Sequence, residues 1–390
     1  MSMEYDRVAN NIRRMMGGEI DIVPHRTASE KLTRQPLNMH EIVRCATLAA
    51  SSHNTQPWKF LIDDDDDDEI IINAVNGGHG HDDGAKIRIV PDLSRRCPVV
   101  DPDDSHLYKS LGCAAENIVH AAAAQGFQAK VSCVGEDATG DHDDHHVAVD
   151  LYRRDDGTKT VKDELYHAIF QRQCTKMVYD GTRLSEEELK ALQNVIHVDG
   201  EETSNVRIIF LTSEKDKQRV IEFVNQGNID QLTDPSWRRE LVSWIRFNPR
   251  EALDTGDGLA GRTGGSPSIP SWLGRLMAGW IITPSGQVKT DTTNIESSAG
   301  VAVFVSGDDR SSWVRVGQVY ERFALQATAL RIRTAFINQP IEVRKIRPDF
   351  ESWLGLQDEE HAQLMVRYGH GPVAPYSLRR PPEDVMMTSK

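Results

Sequence analysis

What this sequence lacks narrows it first. No stretch approaches the ~20 apolar residues of a membrane span, and the opening MSMEYDRVANNIRRMMGGEIDIV has no apolar core of a signal peptide. Cysteine is scarce: Cys45, Cys97, Cys113, Cys133 and Cys174 are an odd number with no CxxC pair, which argues against a disulfide framework and suits a reducing, cytoplasmic setting. Positive charge is in deficit, 45 Lys and Arg against 59 Asp and Glu for a net charge of −14. That excludes a general nucleic-acid binder, because phosphate backbones are gripped by surplus cations. It does not exclude a local basic pocket for a phosphorylated cofactor. No GxSxG elbow and no cysteine in a recognisable catalytic setting support nucleophilic catalysis.

The 390 residues exceed what one core usually fills, so two domains, or two halves sharing a core, are expected. An internal repeat supports the second option. Leu111, Ala114, Ala115, Ile118, Val119 and Ala122 form one apolar helical stripe. Val316, Val319, Tyr320, Phe323, Ala324 and Ala327 repeat its intervals, with Gly112 and Glu116 matched by Gly317 and Glu321. Each helix runs into an extended stretch, Ala129 to Val134 and Thr334 to Ile337. A second pair agrees. Met39, Ile42, Val43 and Ala46 mark a helix leading to a polar loop and the strand Trp58 to Ile62. Leu184 to Val195, with Ser185 and Glu188 as a capping box, leads to the strand Val206 to Leu211.

Several motifs have bland readings that suit them better. The six aspartates Asp63 to Asp68 lack the spaced carboxylates and glycine of a calcium loop and read as a solvated turn. Asn76 to Gly84 and Gly135 to His146 read as loops, and the run of Asp and His from Asp141 to His146 is too contiguous to converge on one ion, so no metal is expected. Gly256-Asp257-Gly258-Leu259-Ala260-Gly261 satisfies GxGxxG, but polar residues precede it and Thr263 to Pro270 cannot open a helix, so a dinucleotide role is rejected. The glycine-rich stretch Gly256 to Pro270, between helical segments carrying Trp237, Trp244, Trp272 and Trp280, reads as a mobile cover with aromatic hinges.

The segment Ser51-Ser52-His53-Asn54-Thr55-Gln56-Pro57-Trp58 is chemically suited to a heteroaromatic ring: amides meet ring-edge donors and acceptors, and hydroxyls reach nearby oxygens. With the alanine-rich helix before it, it resembles the FMN-contacting loop of the nitroreductase family. Pro91 to Pro102 and Ser377-Leu378-Arg379-Arg380-Pro381 resemble the fused, double-length Acg-type branch of that family.

The resemblance implies an α+β, nitroreductase-like fold. Two homologous halves, 1–155 and 156–390, would form an intramolecular pseudo-dimer. The first half would supply the loop 51–58, and the second the FMN phosphate pocket and a lid around 250–280. It further implies cofactor contacts by Ser51, Ser52, Asn54, Gln56, Arg172, Cys174, Lys176, Ser377, Arg379 and Arg380. Lys176 would stabilise charge at flavin N1/O2. Cys174 stands where the family's Arg-x-Ser-Thr-Lys sequence has Ser.

The implied activity is hydride transfer from NAD(P)H to flavin N5 and on to a nitro, quinone-like or other small acceptor. A lid-occluded, FMN-sequestering protein is the alternative. Val198 to Asn205, where the loop should recur, has no Ser-Ser-x-Asn and carries two glutamates that repel anions. One FMN per chain is therefore expected, in a monomeric pseudo-dimer or a homodimer, with neither nucleic acid nor membrane as partner.

Overall fold

The computed structural model describes residues 1–14, 37–63, 84–135, 145–153, 163–198, 201–202 and 205–388. The aspartates beyond Asp63, the loop 76–83, residues 136–144 of the Asp/His run and half of Val198 to Asn205 lie outside them.

The first half begins with helix Ser2–Ile12 and helix Met39–Thr47, followed by strands β1 (Trp58–Asp63) and β2 (Ala85–Pro91). Helix Ser105–Ala124, β3 (Phe127–Val134) and β4 (His146–Arg153) complete it. In the second half, β5 (His197–Val198) and β6 (Glu201–Glu202) form a minimal ladder ahead of β7 (Arg207–Leu211). A second small ladder pairs β8 (Ile245–Arg246) with β9 (Leu259–Ala260). Then come β10 (Gly300–Ser306), helix Arg310–Ala329, β11 (Ile332–Phe336), β12 (His361–His370) and β13 (Met386–Thr388).

The main sheets run β13-β1-β2-β4-β3 and β11-β12-β10-β7. β10 reads Gly-Val-Ala-Val-Phe-Val-Ser and is buried throughout, as β-branched strands enclosed on both faces are. This is the mixed α+β architecture in two sheet-and-helix halves that the resemblance implied. The two halves exchange chain: β13, the last strand, pairs parallel with β1 of the first sheet, Phe60 opposite Met386.

The repeated helices Ser105–Ala124 and Arg310–Ala329 each run 20 residues and pack against one another at the centre of one core that spans both halves. Their matched glycines explain the close crossing. A Cβ on Gly112 would stand 2.0 Å from the Val314 carbonyl oxygen, and one on Gly317 would stand 2.0 Å from that of Lys109. Backbone touches backbone there, and only glycine permits it.

Helix Glu186–Gln193 has the expected capping box, Ser185 and Glu188 exchanging hydrogen bonds. One loop expectation is corrected: His146 opens β4, and His145 is buried against Arg310, whose guanidinium donates to its ring. A strand register that ends in the core explains why these histidines do not stay in the loop.

Candidate functional site

Helix Met39–Thr47 ends against the second half. Its last carbonyls carry the negative end of the helix dipole, and two guanidiniums meet them: Arg172 Nη2 donates to the Leu48 oxygen at 2.7 Å and Arg379 Nη2 to the Ala49 oxygen at 3.4 Å. The next amide, Ala50 N–H, donates to Glu321 Oε2 at 3.2 Å. Glu321 Oε1 lies 2.8 Å from Arg172 Nε, but at an angle that leaves both atoms without a hydrogen bond.

A third cation arrives from the N-terminus. Helix Ser2–Ile12 buries Tyr5 and Ala9 against Ala252, Ala260 and Leu378, and Tyr5 donates to the Tyr376 carbonyl. That docking carries Arg13 inward, where Nη1 donates to the Arg172 and Ile169 carbonyls and the guanidinium lies over the Tyr376 ring at 4.6 Å.

Arg13, Arg172 and Arg379 are therefore buried together with a single carboxylate, Glu321, and the Nε atoms of Arg13 and Arg379 are also unpartnered. The electrostatics follow. Burial and the Arg172 charge push Arg13 down to about 9. Burial, with Arg13 and Arg172, pushes Arg379 well below its usual value. Burial opposes the charge on Arg172 too, but Glu321 together with Tyr320, Cys113 and Cys174 outweighs it and the net shift is upward. A guanidinium does not give up its proton near neutrality, so the downward shifts of Arg13 and Arg379 register first the charge taken out of water and then the repulsion of the neighbouring cations. Such a pocket is relieved by an anion with several acceptor oxygens.

Beside the cations sits the loop Ser51 to Trp58. His53, Asn54 and Gln56 have φ of 47°, 55° and 54°, left-handed values that cost non-glycine residues about 1–3 kcal/mol each unless the surroundings impose them. Here they are imposed. Asn54 Nδ2 donates to the Gly258 and Leu378 carbonyls, and Gly258 N–H returns a bond to the Asn54 oxygen. Gln56 is fully buried, donating to the Gly256 carbonyl at 2.9 Å and accepting from Arg380 N–H at 2.8 Å. Ser51 Oγ accepts from Gln56 N–H. Asp257 adds an ionic tie, gripped by Arg95 from the first half and by Arg246 at 2.6 Å from the second.

The GxGxxG segment thus clamps the loop rather than binding a nucleotide. Gly258, at φ 73°, is required because a Cβ would stand 2.4 Å from the Trp244 oxygen. The clamp pins the front of the expected mobile cover. The tryptophans meant as its hinges are not packed as hinges in helix Ser271–Ile281, where Trp272 and Trp280 are 69% and 81% exposed.

The structure brings Arg172, Arg379, Ser51 and Ser52 to one seam. Ser51 and Ser52 are half-buried, and Ser52 N–H donates to Ser110 Oγ at 3.3 Å. Cys174 is half-buried and bridges to Thr334, the register that keeps Arg172 inward. Lys176 is exposed, and its charge reaches His53 and Glu342. Ser377 is half-buried, two residues before Arg379.

Three predicted contacts are engaged elsewhere. The Asn54 and Gln56 amide nitrogens are spent on backbone, although Asn54 Oδ1 remains unpartnered. The Arg380 guanidinium turns away from the cations, donating to the Asp384 carbonyl and facing Asp92 at 4.0 Å. Arg13 was missed, although Tyr5, Val8, Ala9 and Ile12 form a stripe that fixes where the next residue points. Nothing in the sequence signals that Glu342, pushed up to about 7 by burial and Asp101 against Gln231, Lys109 and Lys176, belongs to the same region.

An α+β protein of two sheet-and-helix halves, with a cationic pocket and a strained amide loop at their seam, is the class that fold and site define. The comparisons specify it further. The chain is 25% identical over 337 residues, 85% of either chain, to two Mycobacterium tuberculosis proteins, from strains H37Rv and CDC 1551/Oshkosh, that carry the provisional name NAD(P)H nitroreductase. It resembles these two proteins along most of its length. No family model matches.

Among solved structures it is similar to the FMN-dependent nitroreductase of Mycobacterium smegmatis in complex with NADPH (11% identity, TM-score 0.40, 58% of this chain and 99% of that one). It is also similar to an FMN-bound nitroreductase of Desulfitobacterium hafniense (14% identity, TM-score 0.36, 59% and 100%).

Proposed function

We propose that the chain binds one FMN at the seam between its halves and works as an NAD(P)H-dependent oxidoreductase that passes electrons to a nitro, quinone-like or other small acceptor. The observation that carries this reading is the surplus of buried cations: three guanidiniums, one carboxylate and unpartnered Nε atoms are a donor set that suits a phosphate dianion. Arg13, Arg172 and Arg379 would hold the phosphate. Ser51 and Ser52 would face the ring, and Asn54 Oδ1 is free to accept from it, while Gln56 and the rest of Asn54 keep the loop in shape. Lys176, exposed and close enough to act on His53, would place positive charge at the pyrimidine end. When bound, the flavin supplies the two-electron chemistry; the chain supplies position and charge.

In this reading the halves 1–155 and 156–390 each keep their sheet but exchange chain termini. The site is complete within one chain.

Denaturing purified protein and counting released flavin tests the reading. One FMN per chain is expected, and two or none would refute it. Anaerobic mixing with NADPH should bleach the bound flavin rapidly; persistent yellow colour would favour a sequestering protein instead. Lys176→Met should lower the flavin reduction potential with little effect on stability, and an unchanged potential would remove Lys176 from this role.

A further inference from the structure

Helix Ser271–Ile281 carries an exposed apolar stripe unlike that of any other helix among the described residues. Trp272, Leu276 and Trp280 recur at a spacing of four, so they stand one above another on a single face. They are 69%, 73% and 81% exposed, with Ile281 at 53% beside them. The opposite face is the one that packs: Gly274 and Ala278 are buried, and a Cβ on Gly274 would meet the Phe247 ring at 2.3 Å. The apolar stripe therefore points outward by construction.

Its surroundings are cationic in an acidic protein. From Gly258 to Thr290, 33 residues contain no Asp or Glu, whereas the chain's 59 acids in 390 residues would place about five there; Arg262, Arg275 and Lys289 are its only formal charges. Helix Pro235–Trp244 packs alongside and adds Arg238, whose guanidinium lies 3.9 Å from where a Gly279 Cβ would be, and the exposed Arg239. Two of these charges are matched, Arg275 by Glu251 and Arg262 by Asp6. Arg239 and Lys289 are exposed.

We propose that this face docks on an anionic phospholipid surface, with the helix lying in the plane of the interface. Tryptophans along the apolar stripe would sit at headgroup depth, and the basic rim would meet lipid phosphates. The spacing gives the geometry: Trp272 and Trp280 are ~12 Å apart along the axis, so both reach one flat surface. The absence of acid over 33 residues gives the charge complementarity that a protein surface of this chain's own −14 would not supply. No described helix is long and apolar enough to cross a membrane, so the contact is peripheral. It departs from the sequence expectation, which named no membrane as a partner. The inference stands apart from the flavin reading.

Flotation of the intact protein with phosphatidylcholine vesicles, with and without a one-third share of phosphatidylglycerol, tests it. The protein should float with the anionic vesicles and much less with the neutral ones, and added salt should weaken the binding. The double variant Trp272→Ser/Trp280→Ser should lose at least about tenfold in binding and keep the wild-type melting temperature and flavin content, since neither side chain touches the core. Arg239→Glu should weaken binding to anionic vesicles only. No flotation with either vesicle would overturn the proposal. So would equal flotation of the double variant, or a wild-type dimer that the double variant converts to monomer, which would make the face a contact between copies.

Discussion

Glu116 and Glu321 occupy matched positions on the two crossing helices, yet one is neutralised and the other is outnumbered. Arg322 grips Glu116 with both nitrogens, at 2.6 and 3.0 Å, and His120 lies 3.1 Å away. Arg322 also donates to the Val195 carbonyl at the end of helix Glu186–Gln193, as Arg172 does to Leu48 at the end of helix Met39–Thr47. The scaffolding is thus repeated: a central glutamate, an arginine and a helix C-terminus. Arg13 and Arg379 break the repeat. They add two buried charges on one side alone. Burial pushes Glu116 up, but Arg322 and His120 overcome it and hold it down to about 2; burial wins at Glu321, which is raised. One side is a closed ion pair and the other is an unfinished one. That difference is what the proposal of one FMN per chain rests on.

The largest expected effects come from opening the two sides in turn. Arg172→Ala and Arg322→Ala each strand a buried carboxylate, and each should destabilise by about 3–5 kcal/mol. Urea denaturation measures this, and only the first variant should lose FMN. Arg379→Ala separates the two roles, because Arg379 pairs with no acid. It should empty the flavin site while the apo protein melts at or above the wild-type temperature. Loss of flavin in Arg322→Ala, while it remains folded, would show that the sides are not distinct.

The crossing itself should stay symmetric. Gly112→Ala and Gly317→Ala each drive a methyl into a carbonyl, at a cost of about 3 kcal/mol by the usual overpacking scale. A harmless result in one of them would break the pseudo-two-fold. Gln56→Ala, which removes bonds to Gly256 and Arg380, should cost about 1–3 kcal/mol, with a flavin off-rate that rises further because the loop loses its imposed shape.

The repeat was legible because its signal is local periodicity plus matched glycines, and a glycine at a helix crossing is a contact written into sequence. The resemblance singled out the loop, Arg172 and Arg379 as cofactor contacts, and the structure brings them to one seam. What sequence could not carry was direction. Asn54 and Gln56 have the amides a flavin edge needs, and the same amides suit backbone carbonyls; only the docking of Gly256 to Gly258 decides between them. Arg379 and Arg380 are adjacent in an extended tail, so alternation sends one inward and the other towards Asp92 and Asp384. Arg13 and the exchange of β13 depend on contacts hundreds of residues apart, for which a local pattern offers no sign.

The smallest effect is one of pH, and it separates the two sides by window. Burial and Lys176, against Asp101, hold His53 down to about 4. An unfolded histidine takes its proton near 6.5, so the stability His53 contributes is full above that value and is lost as pH falls towards 4. Glu342, raised to about 7, runs the other way: its contribution is full below about 4.5 and is lost as pH rises through 7. The two slopes oppose each other between about 4.5 and 6.5, where buried His106, also pushed well down, adds to the slope of His53 and buried Glu321, raised, adds to that of Glu342. His53→Asn should expose the falling slope of Glu342, and Glu342→Gln the rising slope of His53, each about 1–2 kcal/mol across the window when denaturation is repeated at several pH values. Glu116, depressed to about 2, keeps its contribution throughout this range and loses it only as pH falls below about 4.5. A His53→Asn variant with the wild-type profile would mean that the imidazole is not held neutral beside Lys176, and the loop would lose its electrostatic distinction from its counterpart.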